Sequence, residues 1–210
     1  MLMERPTGKK VGALEDIAAF SCYPSKNLGC VGEARMITTD NDGLAVLCRR
    51  YRDHGSTKKF EHTCIGTNAR MDGLNAAVLS VKLPHLDEWN RQRRSIAQFY
   101  RARLSGLPLQ LRNEADIAGH VYHLYQIRLT DRDRMAERLM KRGISVTVHY
   151  PVAMHLHQGF SHLGYAAGDF PVAEKHARET LSIPCYPGMT GTQTSYVADS
   201  IAELTRKERS

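Results

Sequence analysis

Glu15-Asp16-Ile17-Ala18-Ala19-Phe20-Ser21-Cys22-Tyr23-Pro24-Ser25-Lys26-Asn27-Leu28-Gly29 is the stretch whose reading decides the fold. Residues 17–23 form a short, almost unbroken apolar run, with two carboxylates before it and a proline after it. A run of this kind predicts a strand buried on both faces, as in the middle of an α/β sheet. Pro24, Asn27 and Gly29 then predict a turn. Ser21 and Lys26 therefore fall at the carboxyl end of a strand and in the turn beyond it, where open α/β sheets gather their ligands. A hydroxyl there can bind a phosphate oxygen. An amine there can attack a carbonyl once burial or a nearby cation lowers its pKa. On spacing alone, a solvated turn lysine is the commoner case.

Working outward, residues 36–39 predict a second strand, and Asp40 is placed to cap a helix through Leu44, Leu47 and Tyr51. Residues 56–68 are polar and aperiodic, which predicts a long loop. Asp72 opens an amphipathic helix through Leu74, Ala77, Val78 and Val81. Pro84 interrupts it, and the pattern resumes at Leu86, Trp89, Ile96, Phe99 and Tyr100, with Arg91, Arg94 and Arg101 on a solvated side. Residues 121–129 and 144–148 predict strands on either side of a helix over 131–142 that Gly143 closes. Further helices are expected over 172–180 and 193–204, separated by Leu-Ser-Ile-Pro-Cys-Tyr-Pro. The order is that of a mixed α/β chain. Its cleanest boundary lies near Pro84, giving domains 1–83 and 84–210.

Of the 210 residues, 42% are apolar and 24% charged, ordinary values for a globular protein and poor ones for a disordered chain. A formal net charge of +7 suits an anionic partner: a phosphate cofactor, a nucleotide, nucleic acid or an acidic membrane surface. No helix-turn-helix or RNA-binding signature occurs, so nucleic acid is not expected. No apolar run is long enough to cross a bilayer, and the first residues carry no apolar signal core. A cytoplasmic protein without a membrane partner is expected. The five cysteines are odd in number and widely spaced, without a Cys-x-x-Cys pair, which argues against a disulfide framework and a zinc knuckle.

Two further clusters stand out. Asn68 lies just ahead of the helix that Asp72 opens, where an asparagine can cap a helix or bind an anion. Capping by Asp72 in an ordinary loop explains the same residues. Between His149 and His162 four histidines fall in fourteen residues. Their spacing fits no compact ligand set on one helix face, and Pro151 excludes a continuous helix. A polar loop lining a cleft is expected there, with no metal.

Taken together, five ordered segments resemble the DegT/DnrJ/StrS family of sugar aminotransferases. They are KKVGALEDIAAFSCYPSKNLGCVGE, GTNARMDGLNAAVLSVKLPHLDEWN, VYHLYQIRL, GISVTVHYPVAMHL and GDFPVAEKHARETLSIPCYP, and they cover the chain from about Thr7 to near its C-terminus. The resemblance implies an aspartate-aminotransferase-like fold (type I of the pyridoxal-phosphate enzymes). Residues 1–83 would then be the C-terminal portion of the cofactor-binding large domain, and 84–210 the small domain. Family members are roughly twice this long, more than one ordinary domain's worth of chain. The part without a counterpart is the N-terminal half, which in the family carries most of the large sheet and the aspartate that pairs with the pyridine nitrogen.

The same resemblance assigns roles. Lys26 matches the lysine that holds pyridoxal 5'-phosphate, and related sugar dehydratases carry histidine there, so lysine favours amino transfer. Ser21 matches the serine that hydrogen-bonds the cofactor phosphate. Asn68 matches the asparagine that reaches the phosphate from a neighbouring subunit, and His149 a position facing the substrate. The implied reaction moves an amino group from an amino acid, usually glutamate, to a nucleotide-linked keto sugar. Expected partners are those substrates and either a second copy in a homodimer or a complementing N-terminal half. The rival expectation is a non-catalytic binding or regulatory protein that keeps the scaffold. Arg35 stands where the family has glycine and would strain a left-handed backbone. Gly73, Asn75 and Ala153 are further departures from the pattern.

Overall fold

The computed structural model describes residues 11–112 and 119–206. The chain divides into two compact units between Arg91 and Gln92, with residues 119–121 returning to the first.

In the first unit, β1 (Ala18–Ser21) pairs antiparallel with β2 (Arg35–Thr38), from Ala18 opposite Thr38 to Ser21 opposite Arg35. Ala18 and Phe20 are half-buried while Ala19 and Ser21 are exposed, so the expected burial on both faces is not what forms. Double-sided burial needs neighbouring strands on both edges and a layer over each face. Among the described residues β1 has β2 alone beside it. Helix α1 (Asp42–Tyr51) is capped by Asn41, not Asp40: the Asn41 side-chain oxygen accepts from the Leu44 N–H at 3.1 Å. A cap reaches the second or third residue ahead of it, and Asp40 stands one position too far back.

Residues 56–68, expected as a loop, contain a small hairpin of β3 (Ser56–Lys58) and β4 (Glu61–His62), turning through Phe60 at φ 70°. Nearly all its residues face solvent, so no alternation of apolar residues marked it. Helix α2 (Gly73–Lys82) starts where expected, the Asp72 carboxylate accepting from the Asn75 N–H at 2.7 Å. Pro84 does not end the helical run. It sits in a single 3-10 turn, Leu83–His85, that leads directly into α3 (Leu86–Leu104). A proline in the first turn of a helical segment lacks only an N–H that would have no partner there. Arg35 opens β2 in extended backbone and is not among the positive-φ residues, so the expected strain does not arise.

The second unit continues with β5 (Tyr125–Arg128), α4 (Arg132–Lys141), α5 (Pro171–Glu179), β6 (Thr180–Ile183) and α6 (Gly191–Arg206). Gly143, at φ 75°, closes α4 as expected, with the Ile144 N–H on the Leu139 carbonyl at 3.1 Å. Residues 144–148, expected as a strand, make a single bridge at Thr147 to Ser182. Thr190 and Gln193 form a reciprocal cap on α6, each side chain accepting from the other's backbone N–H.

β5 and β6 pair antiparallel, with Gln126 opposite Ser182. One face of this pair carries Tyr125, Ile127, Leu181 and Ile183 into a core with Tyr100, Leu104, Met135, Leu139 and Ile201. Full burial of each such aliphatic side chain contributes about 1.5–3 kcal/mol. The Tyr100 hydroxyl keeps a partner there, donating to the Pro184 carbonyl at 2.8 Å. The other face carries Gln126, Arg128, Thr180 and Ser182, and it is this polar side that positions the cleft described below. No helix among the described residues is long and apolar enough to cross a membrane.

Candidate functional site

Lys26 is half-buried at the tip of the loop that follows β1. The loop is closed at its neck, where the Cys30 N–H donates to the Cys22 carbonyl at 2.9 Å and the Cys30 thiol to the same oxygen at 2.8 Å. At the tip, the Lys26 N–H donates to the Tyr23 carbonyl at 2.8 Å. Asn27, only 7% exposed, anchors the tip: its amide donates to Asn90 Oδ1 at 2.7 Å and to the Val121 carbonyl at 2.8 Å. On the exit side the Val31 N–H donates to Asn75 Oδ1 at 3.2 Å, and Lys82 Nζ donates to the Gly29 carbonyl. A Cβ on Gly29 would lie 2.3 Å from the Pro24 carbonyl oxygen, so the turn requires glycine. Burial, then the neighbouring Cys30, raise the pKa of the Cys22 thiol, so it stays protonated as part of the packing.

Ser21 is exposed at the end of β1, its hydroxyl oxygen accepting a long bond from the Tyr23 N–H at 3.4 Å. The structure thus brings Ser21 and Lys26 onto one short, braced segment. Asn68 lies elsewhere in the same unit, bridged to Asp53 beyond α1. Its side-chain oxygen accepts from Arg70 Nε at 3.1 Å, and Arg70 in turn pairs with Asp53 at 3.5 Å.

His149 belongs to the second unit and lines an open cleft of about 1060 Å³, together with Gln126, Tyr150, Met154, Phe170 and His176. Its Nδ1 is 2.9 Å from the Ser182 hydroxyl, and its carbonyl accepts from the Gln126 amide at 3.3 Å. His176 Nε2 lies 2.9 Å from Arg128 Nη1, which must donate, so the imidazole accepts. Burial first, and then the Arg128 charge, push the His176 pKa below its ordinary value. Arg128 also donates to Glu179 at 2.8 Å.

The histidine-rich loop is pinned by Glu174, which accepts from the Gly168 N–H at 2.8 Å and lies 3.1 Å from His155 Nε2. The Gly168 bond is the largest of the effects that lower the Glu174 pKa. The His155 ring also packs on Phe170, with centroids 4.8 Å apart. Among the described residues no group of three or more His, Cys, Asp or Glu is placed to hold a metal ion.

Sequence reasoning placed Asn27 in the turn and noted Asn75 as a departure, but gave neither of them, nor Asn90, the role of holding the lysine loop. A signal existed for Asn90: with Leu86 and Ala97 it follows helical spacing on a buried face, and a polar side chain there needs a partner. Nothing local marked Val121, 94 residues from Asn27.

A braced lysine loop after a strand and a small antiparallel α/β unit with an open cleft fit an aspartate-aminotransferase-like fold, which the solved structures of similar chains share. The chain belongs to the DegT/DnrJ/EryC1/StrS aminotransferase family, whose model matches residues 4–202. It is 44% identical over 202 residues to a protein of Geobacillus stearothermophilus named a pleiotropic regulatory protein, covering 95% of this chain and 54% of that protein. It is 40% identical over 200 residues to the dTDP-3-amino-3,4,6-trideoxy-alpha-D-glucose transaminase of Streptomyces venezuelae, covering 95% and 53%. Among solved structures, S. venezuelae DesV in complex with a ketimine intermediate superimposes with a TM-score of 0.91 at 39% identity, over 94% of this chain and 54% of that one. Bacillus subtilis NtdA with bound cofactor PMP gives 0.85 at 28% identity, over 93% and 47%. The chain spans about half the length of these relatives.

Proposed function

We propose that this chain is the lysine-bearing part of a pyridoxal-phosphate-dependent aminotransferase that moves an amino group from an amino acid, glutamate by preference, to a keto sugar carried on a nucleotide. The observation that carries the reading is Lys26 held at the carboxyl end of β1 by a loop braced from both sides, in a chain of this family.

The residue types fit the cofactor. A primary amine suits its aldehyde, while the exposed Ser21 hydroxyl and the Asn68 carboxamide suit its phosphate. Pyridoxal phosphate, when bound, supplies an electron sink beside the substrate carbon. Ser21 would donate its O–H to a phosphate oxygen. The Asn68 oxygen accepts from Arg70, which leaves its N–H₂ group as the donor that would reach the phosphate of a neighbouring subunit. Lys26 Nζ would hold the cofactor and, once released from it, would be the amine placed to hold and move a proton beside the substrate. His149 and the cleft around it receive the sugar.

Other residues must complete the site, among them a carboxylate for the pyridine nitrogen. A surface that calls for cover supports this. α1 has a nonpolar side, yet none of its residues is buried. Ile37 is 50% exposed, Tyr51 55% and Val81 71%. Exposed apolar side chains on several elements of one unit suit a surface that another chain covers. The partner is a second copy or the remaining half of a family large domain.

The test is spectroscopic. Pyridoxal phosphate added to the protein produces the visible band of a lysine-bound cofactor, and Lys26→Ala abolishes it. A folded protein without such a band would contradict the reading and favour a scaffold kept for binding.

A further inference from the structure

Behind His149, which lines the cleft in the second unit, lies a buried hydroxyl that the proposed reaction does not use. Ser182 sits in the middle of β6, a strand buried along its whole length, and is itself only 6% exposed. Its backbone N–H and carbonyl both pair with Thr147, at 2.8 and 3.1 Å. Its cross-strand partner is Gln126. Because both Ser182 backbone groups are taken by Thr147, Gln126 and Ser182 form the non-hydrogen-bonded kind of antiparallel pair, whose side chains approach most closely. Both side chains then end on one residue. The Ser182 hydroxyl meets His149 Nδ1 at 2.9 Å, and the Gln126 amide donates to the His149 carbonyl at 3.3 Å. A hydroxyl in a strand this buried is costly unless it has a partner, and the imidazole is that partner.

We propose that Gln126 and Ser182 are positioning residues for His149, Ser182 fixing the orientation of the ring through Nδ1 and Gln126 fixing the backbone that carries it. The hydroxyl can donate to Nδ1 or accept from it, and either bond fixes the plane of the ring and perturbs its proton balance, so the hydroxyl governs how His149 meets a ligand in the cleft. The function of this arrangement rests on the reading that His149 faces the sugar substrate. The ring–hydroxyl bond itself does not, and the experiment separates the two.

The test compares Ser182→Thr with Ser182→Val in the full chain, isosteric changes that differ in the hydroxyl. Nitrogen-15 histidine spectra, with the His149 signals assigned through His149→Gln, report the tautomer and titration midpoint without any catalysis. The threonine variant is expected to keep the wild-type His149 shifts, and the valine variant to move both. Identical His149 shifts in wild type, threonine and valine variants would overturn the proposal. Should valine disturb the strand, Ser182→Ala gives the same comparison, with the His176 signals showing that the cleft is intact. In the assembled enzyme, loss of the hydroxyl should raise KM for the sugar about tenfold, as one lost hydrogen bond would, and leave the half-reaction with the amino donor unchanged. A shift in the His149 spectra with no change in KM would keep Ser182 as the positioner and remove His149 from the substrate. Unchanged spectra with normal amino transfer would leave the enzyme reading standing and remove Ser182.

Discussion

Replacing Asn27 by alanine tests whether the lysine loop is held by a long-range polar anchor. The change removes two buried hydrogen bonds, of 2.7 and 2.8 Å, and leaves Asn90 Oδ1 and the Val121 carbonyl without that donor. Each orphaned acceptor costs about 1–3 kcal/mol. An opposing effect must be subtracted. Asn27 Oδ1 is itself buried without a hydrogen-bond partner, and its removal recovers a desolvation cost of the same kind. The net loss is therefore about 1–3 kcal/mol, a factor of roughly 5 to 150 in the folding equilibrium. Trp89, the single tryptophan, lies next to Asn90 in α3 and reports on this unit by fluorescence. Urea titration should give a lower midpoint at an unchanged slope. Asn27→Asp, which keeps the shape but removes the donor, should cost at least as much. A loss below about 0.5 kcal/mol, the usual size of a surface substitution, would refute the anchor.

Gly29→Ala forces a methyl group onto the Pro24 carbonyl and should cost about 1–3 kcal/mol or more in the same titration, while Gly159→Ala, whose Cβ meets nothing within 4 Å, should cost far less. His176 has a folded pKa below its ordinary 6.5, so the unfolded chain binds more protons between the two values. Its contribution to stability is full above 6.5 and is lost as the pH falls through the folded value. His176→Gln, which can still accept from Arg128, should flatten the stability–pH curve in that window, and an unchanged curve would show that this histidine does not carry it. Glu174, lowered from 4.5, should lose its contribution only at more acid pH, so Glu174→Gln should leave the upper window intact. In sedimentation the purified chain should associate through the exposed faces of α1 and the β1–β2 sheet, whereas clean monomeric behaviour would contradict the proposed partner surface.

Helix starts and stops were legible in the sequence because their causes are local. Asp72 reaches an N–H three residues on, and Gly143 supplies the left-handed residue that closes α4. What escaped notice depended on distant partners. Nothing near Ile17 states how many strands will flank β1, so a run that reads as doubly buried is exposed on alternate residues here. The β3–β4 hairpin has no buried face and so no pattern to detect. The site divides in the same way. Lys26 and Ser21 could be singled out from a strand–turn signal, but the Asn27 anchor runs to residues 63 and 94 positions away. Ser182 lies in the short stretch between two expected helices, and nothing local announces its register with Gln126 or its bond to His149.

Mapping the point of cofactor attachment tests the central claim most directly. After reconstitution with pyridoxal phosphate, borohydride reduction and digestion, mass spectrometry should find the phosphopyridoxyl mass on Lys26 in a single dominant peptide. Label spread over surface lysines such as Lys59 and Lys175, with the Lys26 peptide unmodified, would contradict it.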